Sequence, residues 1–404
     1  MSVTSILTPL NINAHNGVDA LACEEFSTQR AEALVAQFGS PLMVLDCNRV
    51  RAQYRALKNA LPSVDLYYAL KPLPHPAVVS ALLAEGAYFD LATNGEVDLV
   101  ASVGVPSERT IQTHPIKRDI DIQHALAYGC NVFVADNINE LEKFVAYKDD
   151  VEILVRVSFP NADVLADLSK KFGCKPENAL TLIRHAFSLG IRIKGLSFHV
   201  GSQTRSGEKY ATAITKCQHI MQQVIDAELP ALSTLDIGGG FPVQYTADVM
   251  AIDEFCEPIN QALSLLPETV RVIAEPGRFI VASAVTNIAS VMGQAERNGQ
   301  TWYYLDDGIY GSFSGLMFDE AIYEIKSAVQ SDDQFSSVLA GPTCDSIDVI
   351  SESIMLPKLN NGDLIISSMM GAYTACTATD FNFFKRAEFV ILNEQLTASN
   401  VISA

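Results

Sequence analysis

Val64-Asp65-Leu66-Tyr67-Tyr68-Ala69-Leu70-Lys71 is a β-rich run that begins after Pro62 and stops against Pro72, Pro74 and Pro76. Apolar and aromatic residues flanked by prolines mark a strand that ends abruptly. Lys71 therefore stands at the carboxyl end of that strand. A lysine in such a place usually does no more than face water, and only the rest of the chain can give it another task.

Working outward from this strand, the same unit recurs. Strand-like runs occupy Val64–Tyr68, Tyr88–Leu91, Thr110–Gln112, Asn131–Ala135, Ile153–Val157, Ile193–Val200, Thr234–Ile237 and Arg271–Ala274. Helical stretches lie between them, at His75–Glu85, Gly95–Val103, Ile120–Tyr128, Ile138–Tyr147, Pro176–Leu189, Tyr210–Ala227 and Ile252–Leu265. Repeated strand–helix alternation predicts a (β/α)8 TIM-type barrel, an α/β fold. A doubly wound sheet would alternate in the same way. The barrel is favoured because polar residues stand at the carboxyl ends of many different strands, the face on which barrels build their sites.

After about residue 280 the alternation stops. Phe279–Val291, Thr301–Leu305, Ser337–Leu339, Leu364–Ser367 and Ala387–Leu392 read as strands, separated by turn signals such as Asp306-Asp307-Gly308 and Asn360-Asn361-Gly362. They predict a second, β-rich domain. Pro41–Asp46 reads as a buried strand of that same domain, so the expected division is 1–46, 47–280 for the barrel and 281–404 for the β domain. The first 40 residues are a polar, Asn-rich arm and a helix near Glu24–Phe38 that ends at Gly39-Ser40.

The chain has 404 residues, 49% of them hydrophobic and 19% charged, with a net charge of −19. That charge argues against nucleic-acid binding. The eight cysteines form no C-x-x-C pair, which favours a reducing compartment and a cytoplasmic location. No H-E-x-x-H occurs and Cys217 with His219 has no further ligand pattern, so no metal is expected. Neither a signal peptide nor a membrane-spanning run is expected.

Chemistry gathers at the strand ends. His199 precedes Gly201-Ser202; a flat imidazole can stack on a ring, and Ser202 can donate to a phosphate. Gly238-Gly239-Gly240 follows a strand, and consecutive glycines let backbone N–H groups converge on an anion. G-x-G-x-x-G is absent, so a dinucleotide fingerprint is not supported. Glu275-Pro276-Gly277-Arg278 ends the last barrel strand. There Glu275 could keep a pyridine nitrogen protonated and Arg278 could clamp a phosphate. In the second domain, the Cys344 thiol could donate a proton, and Asp345 or Asp319 could pair with a substrate ammonium. Tyr373 offers a phenol to the phosphate. Gathered around one lysine amine, these groups predict that Lys71 is the Schiff-base lysine of a pyridoxal 5'-phosphate enzyme.

YALK, FHVGSQ, DIGGGFP, EPGR, GPTCDSID and GAYT, in this order, resemble the barrel-type (fold type III) pyridoxal-phosphate decarboxylases, most closely ornithine decarboxylases and the bacterial lysine/ornithine decarboxylases. The resemblance runs from about residue 40 to about 393. It implies decarboxylation of a basic L-amino acid, L-ornithine or L-lysine, to putrescine or cadaverine for polyamine biosynthesis. It implies that Lys71, Cys344, His199 and Glu275 are catalytic. Asp90, Arg156, His199, Ser202, Gly238, Gly239, Gly240, Gly277, Arg278 and Tyr373 would surround the cofactor, and Asp319, Asp345 and Tyr310 would bind substrate. It also implies a homodimer, with Cys344 and Asp345 supplied across the interface, Lys171 paired there with Asp348, and Ser158–Ser169 as a loop near the site. One departure is Pro72-Leu73-Pro74-His75, where the family has small or polar residues after its lysine.

Other readings compete. Diaminopimelate decarboxylases have Cys-Glu where this chain has Cys344-Asp345, and Asp319 and Asp345 would repel their substrate's distal carboxylate. Alanine racemase pairs the ring nitrogen with arginine, against Glu275. A non-catalytic or regulatory homologue should have lost Lys71 or Cys344, and both are present.

Overall fold

The helix α1 (Thr28–Phe38) opens the computed structural model, which describes residues 26–160, 168–245, 248–319 and 321–394. Ser27 caps it, and Gly39 at φ +79° ends it, a conformation that glycine adopts without strain. Of the helix expected near Glu24–Phe38, Glu24 and Glu25 lie outside the described residues, and Phe26 and Ser27 are not helical, Ser27 being extended as the cap. The strand β1 (Leu42–Asp46) and helix α2 (Cys47–Ala60) follow and lead into the barrel.

Eight parallel strands then close on themselves: β2 (Val64–Ala69), β3 (Tyr88–Leu91), β4 (Thr110–Gln112), β5 (Val132–Ala135), β6 (Glu152–Val157), β7 (Ile193–Phe198), β8 (Thr234–Asp236) and β9 (Arg271–Ala274). Pairing of β2 with β9, Leu66 opposite Ala274, completes the ring and settles the choice between barrel and open sheet. Alternation along the strands fills both sides. Tyr67, Ile111, Val134, Leu154 and Ile273 pack together as an apolar plug inside the barrel. Leu66 and Tyr68 join the main core with the surrounding helices. Those helices are α3 (Pro76–Ala84), α4 (Asn94–Val103), α5 (Asp119–Tyr128), α6 (Ile138–Lys143), α7 (Pro176–Ser188), α8 (Glu208–Asp226) and α9 (Ile252–Leu263). In α8 the buried Tyr210, Ala213, Ile214, Cys217, Ile220, Met221 and Val224 recur at helical spacing.

The stretch expected as a strand from Phe279 to Val291 is divided. Arg278–Val281 is helical (α10), and β10 runs from Val285 to Arg297. Phe279, Ile280 and Val281 are all buried, so this apolar run carries no period to tell helix from strand.

The long strand β10 organises the second sheet. Its first part pairs with β1 and with β15 (Leu364–Ser367), and its last part with β11 (Gln300–Leu305). The sheet continues through β12 (Ile325–Ser327), β13 (Phe335–Ala340) and β14 (Val349–Leu356) in the order β12-β15-β10-β11-β13-β14. The last strand, β16 (Glu388–Leu392), lies parallel to β1. Two of these strands, β12 and β14, were not expected. β12 is three residues long, and β14 carries register shifts against β13 that break its alternation.

Among the described residues, no helix is long and apolar enough to cross a membrane, and no group of three or more His, Cys, Asp or Glu is placed to hold a metal ion.

Candidate active site

A cavity of about 370 Å3 lies over the carboxyl ends of the barrel strands. Lys71, Asp90, Arg156, His199, Ser202, Gly239, Gly240, Glu275, Gly277, Arg278, Asp319 and Tyr373 all line it. A larger groove, about 810 Å3, lies on the outside of the barrel between α7 and α8, but no strand end reaches it.

Lys71 follows β2 directly, and its exposed side chain lines this cavity. The backbone holds it there: Ala69 N–H donates to Pro276 O at 3.1 Å and Leu70 N–H to Asp90 O at 3.3 Å. Burial opposes the Lys71 charge, but Tyr373, Asp90 and Glu275 outweigh it and hold the amine above its ordinary pKa. The unusual Pro72 has a use. Its carbonyl accepts from Tyr373 N–H at 3.1 Å and from Cys376 Sγ at 3.3 Å, which ties the β domain to the lysine loop. Tyr373 itself sits at φ +56°, a conformation that an ordinary side chain adopts at some cost.

His199 accepts at Nδ1 from Gly201 N–H at 2.9 Å, so its proton belongs on Nε2. Burial, then Lys71 and Arg156, push its pKa well below the usual value and keep the ring neutral. Asp90 is 5% exposed and accepts from Thr113 Oγ1 at 2.5 Å; burial and Glu275 raise its pKa.

The glycines do two jobs. An ideal Cβ on Gly239 would lie 2.5 Å from Glu275 O, and one on Gly240 2.1 Å from Gly201 O. Their small size thus lets the ends of β7, β8 and β9 close on one another. The N–H groups of Gly239 and Gly240 meet no protein acceptor among the described residues. Gly238 differs: its N–H is taken by Asp236 Oδ1 at 2.9 Å, and it does not line the cavity.

Arg278 is 6% exposed and holds both oxygens of Asp319, at 2.6 and 2.7 Å. It also donates to Tyr245 OH at 2.9 Å and Ser202 Oγ at 3.1 Å. The residue expected to clamp a phosphate and the one expected to meet an ammonium are therefore partners of each other.

Cys344, Asp345 and Tyr310 are not brought to this cavity. Cys344 is exposed beside Asn382, with Sγ 3.3 Å from Oδ1. Asp345 accepts from Tyr310 OH at 2.5 Å, a bond that raises the phenol pKa to about 12 and lowers that of the carboxyl. Tyr310 stacks on Phe381 with centroids 4.4 Å apart. Asp348 is 2% exposed and accepts from Ile309 N–H, Thr343 N–H and Thr343 Oγ1 of its own chain, while Lys171 lies against Phe172. Most of Ser158–Ser169, residues 161–167, lies outside the described residues.

Sequence reasoning passed over Glu96, Thr113, His114 and Phe172, which also line the cavity. Thr113 and His114 follow β4, so the strand-end rule that found the others could have found them. Phe172 sits in a loop placed by Asp136, which accepts from Gly173 N–H at 2.7 Å, and no local signal marks it.

The site fits pyridoxal phosphate. Glu275 Oε1 is buried without a hydrogen-bond partner, as an acceptor reserved for a protonated ring nitrogen would be. The N–H groups of Gly239 and Gly240, with Ser202 and Arg278, provide donors for a phosphate within the same cavity as Lys71.

Residues 47–282 match the family model described as the pyridoxal-dependent decarboxylase, pyridoxal binding domain. A lysine/ornithine decarboxylase of Vibrio vulnificus complexed with putrescine is 68% identical, with TM-score 0.87, covering 91% of this chain and 98% of that one. The complex with cadaverine is 69% identical, TM-score 0.87, covering 90% and 97%. The lysine/ornithine decarboxylase of Selenomonas ruminantium is 34% identical over 371 residues, 91% of this chain and 94% of that one.

Proposed function

The chain belongs to the pyridoxal-dependent decarboxylases of the lysine/ornithine type, and from that premise we propose a role for each residue of the cavity at Lys71. The enzyme is a pyridoxal-phosphate-dependent carboxy-lyase that decarboxylates ornithine and lysine. The observation that carries its placement in this cavity is the unpartnered, buried Glu275 Oε1 beside the lysine.

Lys71 would hold the cofactor covalently through Nζ, Glu275 would meet the ring nitrogen, and Gly239, Gly240, Ser202, Arg278 and Tyr373 would hold the phosphate. When bound, the group supplies the sink for the electrons left as carbon dioxide departs. Glu275 would keep a proton at the ring nitrogen, which would keep that sink strong. Neutral His199, fixed by Gly201, offers a flat face without a repelling charge. Tyr373 and Asp90, whose charges favour the protonated amine, would keep Lys71 Nζ in place. Arg278 cannot grip both oxygens of Asp319 and a phosphate with the same donors. Its Nε, buried without a partner among the described residues, would meet the phosphate, and an Asp319 oxygen released by Nη1 or Nη2 would take the substrate's distal ammonium.

The proton donor and the second carboxylate come from a second copy of the chain. Cys344, Asp345 and Tyr310 stand apart from their own chain's cavity, beside Phe383, which is 95% exposed, and Ile347, which is 51% exposed. Large exposed apolar side chains of this kind mark a contact surface. In the dimer, the partner subunit's Cys344 would return a proton to the substrate α-carbon, and the partner subunit's Asp345 would help bind the ammonium. The division at 46/47 and 280/281, with the barrel carrying the cofactor and the β domain Cys344, belongs to this proposal. So does a cytoplasmic location, supported by the free cysteines among the described residues.

The test is carbon dioxide release from ornithine, lysine, arginine and diaminopimelate by the purified enzyme with cofactor. Turnover of ornithine and lysine is expected. Turnover of diaminopimelate alone would overturn the assignment of Asp319 and Asp345.

A further inference from the structure

One buried acid has no task so far. Asp236, the last residue of β8, is 0% exposed. In register it lies between Ser197 of β7 and Ile273 of β9. Ile273 belongs to the apolar plug inside the barrel, and side chains in register on parallel strands point to the same face. Asp236 thus lies at the top of that plug, at the floor of the cavity.

Its carboxyl group is tied down on both oxygens. Ser197 Oγ donates to Oδ2 at 3.0 Å and Gly238 N–H to Oδ1 at 2.9 Å. Gly238, whose N–H it holds, accepts from Glu275 N–H at 2.9 Å, and Glu275 stands two residues beyond Ile273 on the same face, so the two carboxyl groups, the second only 7% exposed, are neighbours. No salt bridge reaches either acid among the described residues. The charged groups that face them are Asp90, which adds repulsion, and Lys71, which acts on Glu275 from across the cavity. Two carboxylates in contact, out of water and without a bonded cation, cannot both be charged, so one proton must sit between them.

We propose that Asp236 is the positioning residue for Glu275: it carries that shared proton and donates it to one Glu275 oxygen, which leaves Oε1 as a charged acceptor for the ring nitrogen. The inference rests on the placement of the cofactor given above. Burial and Glu275 both favour the neutral acid at Asp236, which fits the geometry. The pair then carries one negative charge, enough to balance one protonated ring nitrogen, with none left over on the barrel floor.

The infrared spectrum of the intact enzyme, with and without cofactor, tests the proton directly. At neutral pH a carboxylic-acid C=O band that shifts in D2O is expected, and Asp236→Asn should remove it. A spectrum unchanged by that substitution, or the absence of any such band, overturns the proposal. Cofactor affinity, titrated by absorbance, provides the second arm. Asp236→Ala should weaken it ~10–100-fold, the worth of one hydrogen bond to a charged group. Asp236→Asn, which still has an N–H to donate, should restore most of that loss. Equal loss in both variants overturns the donor role. If Asp236→Ala does not fold, the infrared arm still decides. A wild-type enzyme that fails to release carbon dioxide would defeat the assigned function and leave the infrared result standing.

Discussion

Gly239→Ala puts the construction of the site under direct strain. Gly239 has no positive φ, so alanine meets no backbone penalty there and the effect is one of space alone. The added methyl would lie 2.5 Å from the Glu275 carbonyl oxygen, where ordinary contact begins at 3.4 Å. It would also lie 3.4 Å from His199 Nε2, already in contact. The tails of β8 and β9 must therefore part by about 0.9 Å, the difference between those two distances. Neither tail is free to yield, because Glu275 N–H is bonded to Gly238 O at 2.9 Å and Ile237 N–H to Ile273 O at 2.9 Å. Overpacking of this size costs about 1–3 kcal/mol of stability. Moving an acceptor by ~1 Å can cost ~10²-fold in rate. The expected variant is folded, melts a few degrees lower, binds cofactor more weakly and loses about two orders of magnitude in kcat/KM. Thermal melting, cofactor titration and steady-state kinetics measure the three effects. A variant with wild-type cofactor affinity and turnover would refute the claim that close approach of these strand ends sets Glu275.

Lys71→Ala should abolish the visible absorbance of the bound cofactor; borohydride labelling of another lysine would refute the attachment site. Mixing a Lys71→Ala dimer with a Cys344→Ala dimer should restore about a quarter of wild-type activity, since random exchange makes half the dimers mixed, each with one intact site. No recovery despite proven exchange would place Cys344 in its own chain's site. Burial lowers the pKa of His75 from 6.5 to about 4, and its Nδ1 accepts from Ala77 N–H at 3.1 Å. A depressed folded pKa contributes stability above pH 6.5 that is lost as the pH falls towards 4, here roughly 3 kcal/mol. His75→Asn keeps a cap acceptor without the ionisation, so its melting temperature should fall less over that range; identical profiles would refute the role of His75.

The barrel was legible because nearly every strand is short, apolar and cut off by glycine, proline or a polar residue, as at Leu70-Lys71-Pro72. The same punctuation led to the residues that now share one cavity, since a barrel collects its strand ends on one face. What could not be read was non-local. Nothing near Arg278 announces Asp319, 41 residues away, as its partner. Asp236 looked like part of a strand followed by a glycine turn, and only register shows it beneath Glu275. Phe172 reaches the cavity from a loop with no pattern of its own.

The parallel pairing of β1 with β16 has a consequence for the order of synthesis. Asp46 caps α2 through Asn48 N–H and is joined to Asn393 Nδ2 at 2.7 Å, across 347 residues. Arg51 Nη1 reaches Asn393 O at 3.0 Å. On the ribosome, the barrel strands can all emerge and close while β1 still waits for that neighbour. Until Glu388–Leu392 arrives, one side of β1 presents unpaired backbone groups, the state in which a strand recruits foreign chains. A nascent chain stalled or cut before Glu388 would therefore carry a finished barrel and a sticky edge. Its hazard to the cell would be co-aggregation, before any loss of catalysis.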